Sequence, residues 1–327
     1  MKCIQFVGLA ALCLFLFSCE KRDKAITLPP KGDGVVIQVN MGEEYGEQFY
    51  VSLENQQIVH SVPCNIWDLA FSCKADDYTV YMNGGQGMCA YPTGKSDFAT
   101  VGMGDTSLAA SNWLYDGSTG EVDSAIIKWS LHSNQVYIVK LDKNDTKYKK
   151  IKIAQADAFQ YSIEVGELDD QTPQLRTLVK NTHTNFTYFS LHHFTEVANV
   201  EPAKNSYDLK FTTYNYSFYE QNPPLRYIVV GCLLNATNTS AYKDSTIGFT
   251  SLTKDLTAQV QFNTHWDAIG YDWKKIDWAS GSTDYTIDKR FSFIVKTQNN
   301  RYFRLRFLDF YSPTGEKGSP KFEFQEL

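Results

Sequence analysis

Five residues, Trp67-Asp68-Leu69-Ala70-Phe71, return much later as Tyr207-Asp208-Leu209-Lys210-Phe211. In each copy an aromatic residue, a leucine and a phenylalanine alternate with an aspartate and a variable position. Side chains on a strand point to opposite faces in turn. The spacing therefore predicts a half-buried strand, with the aromatic, Leu and Phe inward and the Asp and Ala or Lys outward. The flanks repeat in the same order. Tyr50-Val51-Ser52-Leu53 answers Tyr188-Phe189-Ser190-Leu191, and Trp113 answers Trp273, each followed by a Gly/Ser turn. Ile138-Val139-Lys140 then answers Ile294-Val295-Lys296, and the strand from Tyr148 answers the one from Tyr302. Each half closes on a similar strand, Ile163-Glu164-Val165 and Phe322-Glu323-Phe324. Collinear matches of this kind mark an internal repeat. The chain reads as all-β, two tandem copies of one unit, with few or no helices.

The 327 residues suffice for two domains of ordinary size, and the 20 Tyr and 21 Phe suit pleated surfaces better than helices. The most polar, proline-containing stretch, Asp169-Asp170-Gln171-Thr172-Pro173-Gln174, is the expected seam. The expected division is a first domain at 35–168, a linker at 169–180 and a second domain at 181–327. Leu252 to Val260 is the one stretch that reads as a short helix.

Before these lies a positive start, Met1-Lys2, and an apolar run from Cys3 to Phe17, too short to span a bilayer and shaped like a secretory signal over 1–18. Its ending, Leu16-Phe17-Ser18-Cys19, resembles the bacterial lipobox, in which the cysteine is lipidated. Cys19 is thus the expected lipid anchor, and residues 19–34, charged and Pro/Gly-rich, the expected stalk. Export permits disulfides. Cys73 and Cys89 fall on neighbouring expected strands, so a bridge and two core thiols both remain open.

A net charge of −6 gives no footprint for nucleic acid. Lys150 and Lys152 alternate with Ile151 and Ile153, which predicts the solvated face of a strand. Gly84-Gly85-Gln86-Gly87 lies between strands with no helix after it, so it reads as a hairpin turn and not a phosphate cradle. No Gly-x-Ser-x-Gly elbow, His-Glu-x-x-His helix or P-loop occurs, and the chain is not expected to be an enzyme. Asp68 and Asp208 read as structural carboxylates that bond to a neighbouring turn.

The second copy resembles the HmuY family of Bacteroidota outer-membrane lipoproteins. The resemblance rests on Tyr207-Asp208-Leu209-Lys210-Phe211-Thr212, Val230-Gly231-Cys232-Leu233-Leu234-Asn235, Gly270-Tyr271-Asp272-Trp273 and Tyr302-Phe303-Arg304-Leu305-Arg306-Phe307. The ending Gly315 to Phe324 carries it further, and the first copy follows more loosely through Trp67 to Phe71. The resemblance implies an outer-membrane lipoprotein of haem acquisition, gripping iron between two His or Met side chains, with a receptor or haem-carrying protein as further partner. The segments that should supply those ligands, Leu114 to Ser118, Lys274 to Trp278 and Ala236 to Thr246, contain neither residue. Met103 and His265, each shortly before one of the repeated tryptophans, are the candidate ligands that remain, since thioether and imidazole both suit haem iron. The function expected is binding of haem or a related tetrapyrrole in nutrient acquisition. The alternative is a surface lipoprotein that uses the same fold to bind a protein or a glycan.

Overall fold

The computed structural model describes residues 34–130, 134–142, 148–222, 224–276, 281 and 284–327. The expected signal, Cys19 and most of the stalk lie outside them. The first half supplies β1 (Val35–Gln38), β2 (Glu47–Ser52), β3 (Gln57–Pro63), β4 (Leu69–Ser72), β5 (Thr79–Met82), β6 (Cys89–Pro92) and β7 (Ile127–Lys128). It continues through β8 (Val136–Lys140), β9 (Tyr148–Ala156) and β10 (Gln160–Glu167). The second half supplies β11 (Gln174–Val179), β12 (Phe186–Ser190), β13 (Thr195–Val197), β14 (Leu209–Phe218), β15 (Leu225–Leu234) and β16 (Ser240–Asp244). It ends with β17 (Lys274–Ile276), β18 (Tyr285–Ile287), β19 (Ser292–Lys296), β20 (Tyr302–Tyr311) and β21 (Lys317–Glu326). All the strand pairings described are antiparallel.

Two sandwiches result, with sheets of five and five strands in one and of five and four in the other. One sandwich pairs the sheet β11-β10-β9-β8-β6 with the sheet β13-β12-β4-β5-β7. The other pairs β1-β21-β20-β19-β16 with β15-β14-β2-β3. Each has its own core, one around Leu69, Phe71, Tyr161 and Phe189, the other around Leu209, Phe211, Trp273 and Phe307. The sandwiches do not coincide with the two sequence copies. Strands β4 to β13 form one sandwich without interruption, while β1 to β3 leave the first copy and complete the second. The expected linker at 169–180 contains β11, which pairs with β10 across the Asp169–Pro173 turn. The chain passes between sandwiches instead at 64–67 and 199–207. Gly32–Leu327 is one compact unit.

The exchange keeps one register in both places. Tyr50 of β2 lies opposite Lys210 of β14, and Val51 opposite Leu209. Tyr188 of β12 lies opposite Ala70 of β4, and Phe189 opposite Leu69. Both crossings are pinned alike: Asn83 Nδ2 donates to the carbonyls of Cys64 (2.8 Å) and Trp67 (2.9 Å). Asn235 Nδ2 donates to those of Lys204 and Tyr207, each at 2.7 Å. Buried carbonyls need such donors, and a carboxamide reaches two at once.

Several sequence expectations require correction. Trp67 and Tyr207 leave the faces of Leu69 and Leu209 for the contact between sandwiches, where Trp67 packs edge-on against Tyr188 at 5.1 Å and the Tyr207 hydroxyl accepts from Asn185 Nδ2 at 3.0 Å. Asp68 and Asp208 are not outward and wet but only 3 % and 2 % exposed. Lys150 is fully buried, because the turn at Phe98–Val101 covers that face of β9. Its ammonium donates to the carbonyls of Phe98 (2.9 Å) and Val101 (2.6 Å). The four cysteines 64, 73, 89 and 232 are free, so no bridge joins Cys73 and Cys89. The stretch expected as a helix, Leu252 to Val260, forms a 3₁₀ turn at Asp255–Ala258, another 3₁₀ turn precedes it at Phe249–Ser251, and an α-helical turn lies at Thr106–Ala109. Gly84–Gln86 is a 3₁₀ turn laid on β14, so close that a Cβ on Gly85 would stand 2.6 Å from the Thr213 carbonyl. Only glycine permits that approach.

Candidate functional site

A broad aromatic opening lies beside Trp273. Trp273 is only 1 % exposed; its ring stacks on Phe307 at 3.8 Å and 7°, and its Nε1 donates to the Gly270 carbonyl. This fixed ring starts β17, which pairs with β18 through Lys274↔Ile287, Lys275↔Thr286 and Ile276↔Tyr285. The ribbon faces the outer half of β15, and the two enclose a cleft of about 560 Å³. Its walls include Tyr45, Phe218, Tyr227, Tyr271, Tyr285 and Phe291. Pockets for organic ligands commonly measure 300–1,000 Å³, so the cleft has room for a flat macrocycle.

Beneath it lies Lys274, whose ammonium donates to the carbonyls of Val230 (2.5 Å) and Tyr271 (3.3 Å). It stands 4.5 Å over the Trp273 ring and 4.9 Å over that of Phe310. Burial pulls its pKa down to about 7; taking an ammonium out of water penalises the charged form. At the edge Arg290 clasps Asp288 through Nε (2.9 Å) and Nη2 (2.6 Å), and Lys275 approaches the same carboxylate at 3.4 Å. These cations hold Asp288 well below the ordinary carboxyl range. Arg290 and Lys275 remain 68 % and 56 % exposed, so both still present positive charge to solvent.

The residues of the cleft suit a flat aromatic body better than its metal. Haem iron is held by His, Met, Cys or Tyr, and the described lining contains no His, Met or Cys. Its phenols are kept protonated by burial, Tyr271 at about 12 and Tyr45 and Tyr285 also raised. A phenol must lose its proton to bind iron as phenolate. Among the described residues no group of three or more His, Cys, Asp or Glu side chains could hold a metal ion.

Met103 and His265 both lie elsewhere. Met103 opens the 3₁₀ turn Met103–Asp105 and is 52 % exposed. His265 precedes Trp266 and places Nε2 3.4 Å from Glu121 Oε1. Neither borders the cleft. Of His192 and His193, the first sets Nδ1 3.2 Å from the Asp68 carboxylate, which fits an ordinary strand-end role. The tyrosines of the cleft and Lys274 escaped sequence reasoning. The available signal was Tyr227 and Tyr285 on alternating strands either side of Gly-Tyr-Asp-Trp.

One comparison with known proteins falls on the second half of the chain. The profile of the HmuY protein family matches residues 182–324. Over that span the chain is a HmuY-family sequence. The HmuY match begins at β12, inside one sandwich, and ends in β21, in the other, so it follows the sequence copy and not the sandwich. Among solved structures, apo PinO from Porphyromonas gingivitis aligns at 10% identity over 90% of this chain and 98% of its own, with a TM-score of 0.35. A Tannerella forsythia apo HmuY analogue aligns at 11% over 91% and 98%, TM-score 0.25. A putative HmuY-like heme binding protein from Bacteroides vulgatus aligns at 10% over 90% and 94%, TM-score 0.21. These superpositions are too weak to carry an inference about fold or site. No curated protein matches the chain. Among the described residues no helix is long and apolar enough to cross a membrane.

Proposed function

We propose that the protein is an exported HmuY-like lipoprotein, tethered to the outer membrane through Cys19, that binds a tetrapyrrole in nutrient acquisition. In this reading it arose by duplication of one β unit, with copies at 35–168 and 181–327, and it performs no catalysis. The observation that carries it is the family match over residues 182–324. The cleft beside Trp273 adds the place: aromatic walls for the ring and Arg290 and Lys275 for its carboxylates. Since no imidazole or thioether borders the cleft among the described residues, binding there depends on stacking and charge, not on iron. Metal-free protoporphyrin IX should therefore bind as tightly as haemin, and Tyr271→Ala should weaken both.

The test is a titration of the purified protein with each, followed by the Soret band. A saturable shift with haemin alone, lost in Met103→Ala or His265→Ala, would replace this account with axial ligation by those side chains. Spectra identical to the free pigments at micromolar protein would favour the other reading, a surface lipoprotein for a protein or glycan. One observation supports that second reading: Tyr219, Tyr227 and Leu225 at the free end of the β14–β15 ribbon are 75 %, 58 % and 54 % exposed. Exposed aromatics of this kind are enriched at contact surfaces.

A further inference from the structure

A second cavity, of about 110 Å³, lies where the two sandwiches meet, and no described residue borders both it and the cleft. Its apolar wall is aromatic: Trp67, Tyr81, Phe186, Tyr188 and Trp266. Tyr81 and Trp266 pack at 4.7 Å, and Phe186 and Trp266 at 5.6 Å. Into this box comes Lys210, the variable position of the repeated pentapeptide. Its ammonium sits 5.3 Å over Trp67 and 5.5 Å over Tyr50 and makes no hydrogen bond to any described residue. The equivalent position in the other copy is Ala70, so one copy supplies the charge and the other leaves the space.

The acceptors of the cavity are already engaged. Glu201 Oε1 takes the amides of Asn185 and Phe186, and Oε2 takes the hydroxyls of Tyr207 (3.1 Å) and Tyr188 (3.3 Å). Asp116 takes the amides of Met82 (2.6 Å) and Ile126 (2.9 Å), one on each oxygen. Three buried donors are not engaged. Trp67 Nε1, Asn215 Nδ2 and the Tyr214 hydroxyl are buried without a partner, in residues 92–94 % buried that all border the cavity. Unpartnered buried polar groups are uncommon in native proteins, and these three belong to residues that border the same cavity as Lys210.

We propose that this cavity is a binding site for a small carboxylate with a short apolar body, the anion meeting Lys210 and the chain meeting the aromatic wall. A surplus of donors selects an acceptor, and an ammonium in a low-dielectric box selects a negative one. A cavity of about 150 Å³ holds benzene, so this one accommodates a ligand of about four to six heavy atoms. A tetrapyrrole is far too large for it, so the two sites stand or fall separately.

Butyrate is a suitable probe, being transparent where tryptophan absorbs, with butanamide as its neutral counterpart. The purified protein should show a saturable change in tryptophan fluorescence with butyrate, reproduced by calorimetry, and a much weaker one with butanamide. Lys210→Met should weaken butyrate about tenfold or more, the loss of one charge-assisted bond. Ala70→Leu, which fills the space while keeping the ammonium, should abolish binding. Tyr271→Ala in the cleft should leave butyrate binding unchanged. Thermal melting of each variant establishes that it is folded. No saturable signal with the wild-type protein up to tens of millimolar would show a cavity filled by water alone and overturn the proposal. So would equal binding of butyrate and butanamide, or undiminished binding by folded Lys210→Met.

Discussion

The two copies of the repeat hold corresponding residues in unequal surroundings. Trp273 is sealed into its core, stacked flat on Phe307, whereas Trp113 is half-buried and lies over Tyr148 at 5.7 Å. Asp68 accepts from Ser190 Oγ (3.1 Å), Leu191 N (2.6 Å) and His192 N (3.2 Å). Asp208 meets the end of β2 through Leu53 N (2.8 Å), while Ser52 Oγ turns away to Asn55 N. Each aspartate thus clasps a strand contributed by the other copy, but one clasp is richer. The difference shows that the pattern common to both copies specifies pairing and register. Where a copy departs from it, packing and charge are released for other uses, as Lys210 against Ala70 illustrates.

The largest expected contrast lies at the tryptophans. Trp273→Ala removes a fully buried ring and should cost about 3–5 kcal/mol. Trp113→Ala should cost about 1–2 kcal/mol, since a half-buried ring has less area to lose. Urea denaturation of the two variants measures both. Equal losses would mean that the copies share one packing arrangement after all.

The clasps come next. Asp68→Ala leaves a buried amide, a part-buried amide and a hydroxyl without an acceptor and should cost about 2–4 kcal/mol. Asp208→Ala should cost about 1–2 kcal/mol, because it strands fewer donors and relieves a confined carboxylate. If Asp208→Ala proved the more damaging in the same denaturation series, the ranking of the two clasps would be reversed.

The repeated pentapeptide made the strand type, its core-facing Leu and Phe, and the duplicate order legible before any coordinates. It left the partner of each strand hidden. Alternation identifies a face, but pairing β2 with β14 instead of β4 depends on contacts more than a hundred residues apart. Nor does alternation say what covers a face. Lys150 looked solvated because nothing local announces that Phe98 to Val101 will roof it. Trp67 and Tyr207 looked like core for the same reason, although they precede the paired part of their strands and turn to the other sandwich. The cleft was least legible, since its walls come from 45, 218–230 and 271–291, and only the fold brings these together.

The pH dependence of Asp208 is the most discriminating test between the clasps. Burial raises the pKa of Asp208 to about 6, with Glu54 adding to the rise. An unfolded chain releases that proton near the ordinary carboxyl value of about 3.9. Between these values the native state holds a proton that the unfolded state has lost, so this group stabilises the fold at low pH. Its contribution declines as pH rises through about 4 to 6 and is gone above that window. Asp208→Asn stays neutral throughout and does not follow the decline. Relative to wild type, its unfolding free energy should therefore improve by on the order of 1–3 kcal/mol between pH 4 and pH 7. A difference between variant and wild type that stays constant across that range would show that the Asp208 carboxyl ionises as freely in the fold as in the open chain. The contrast between the two clasps would then rest on the number of donors alone.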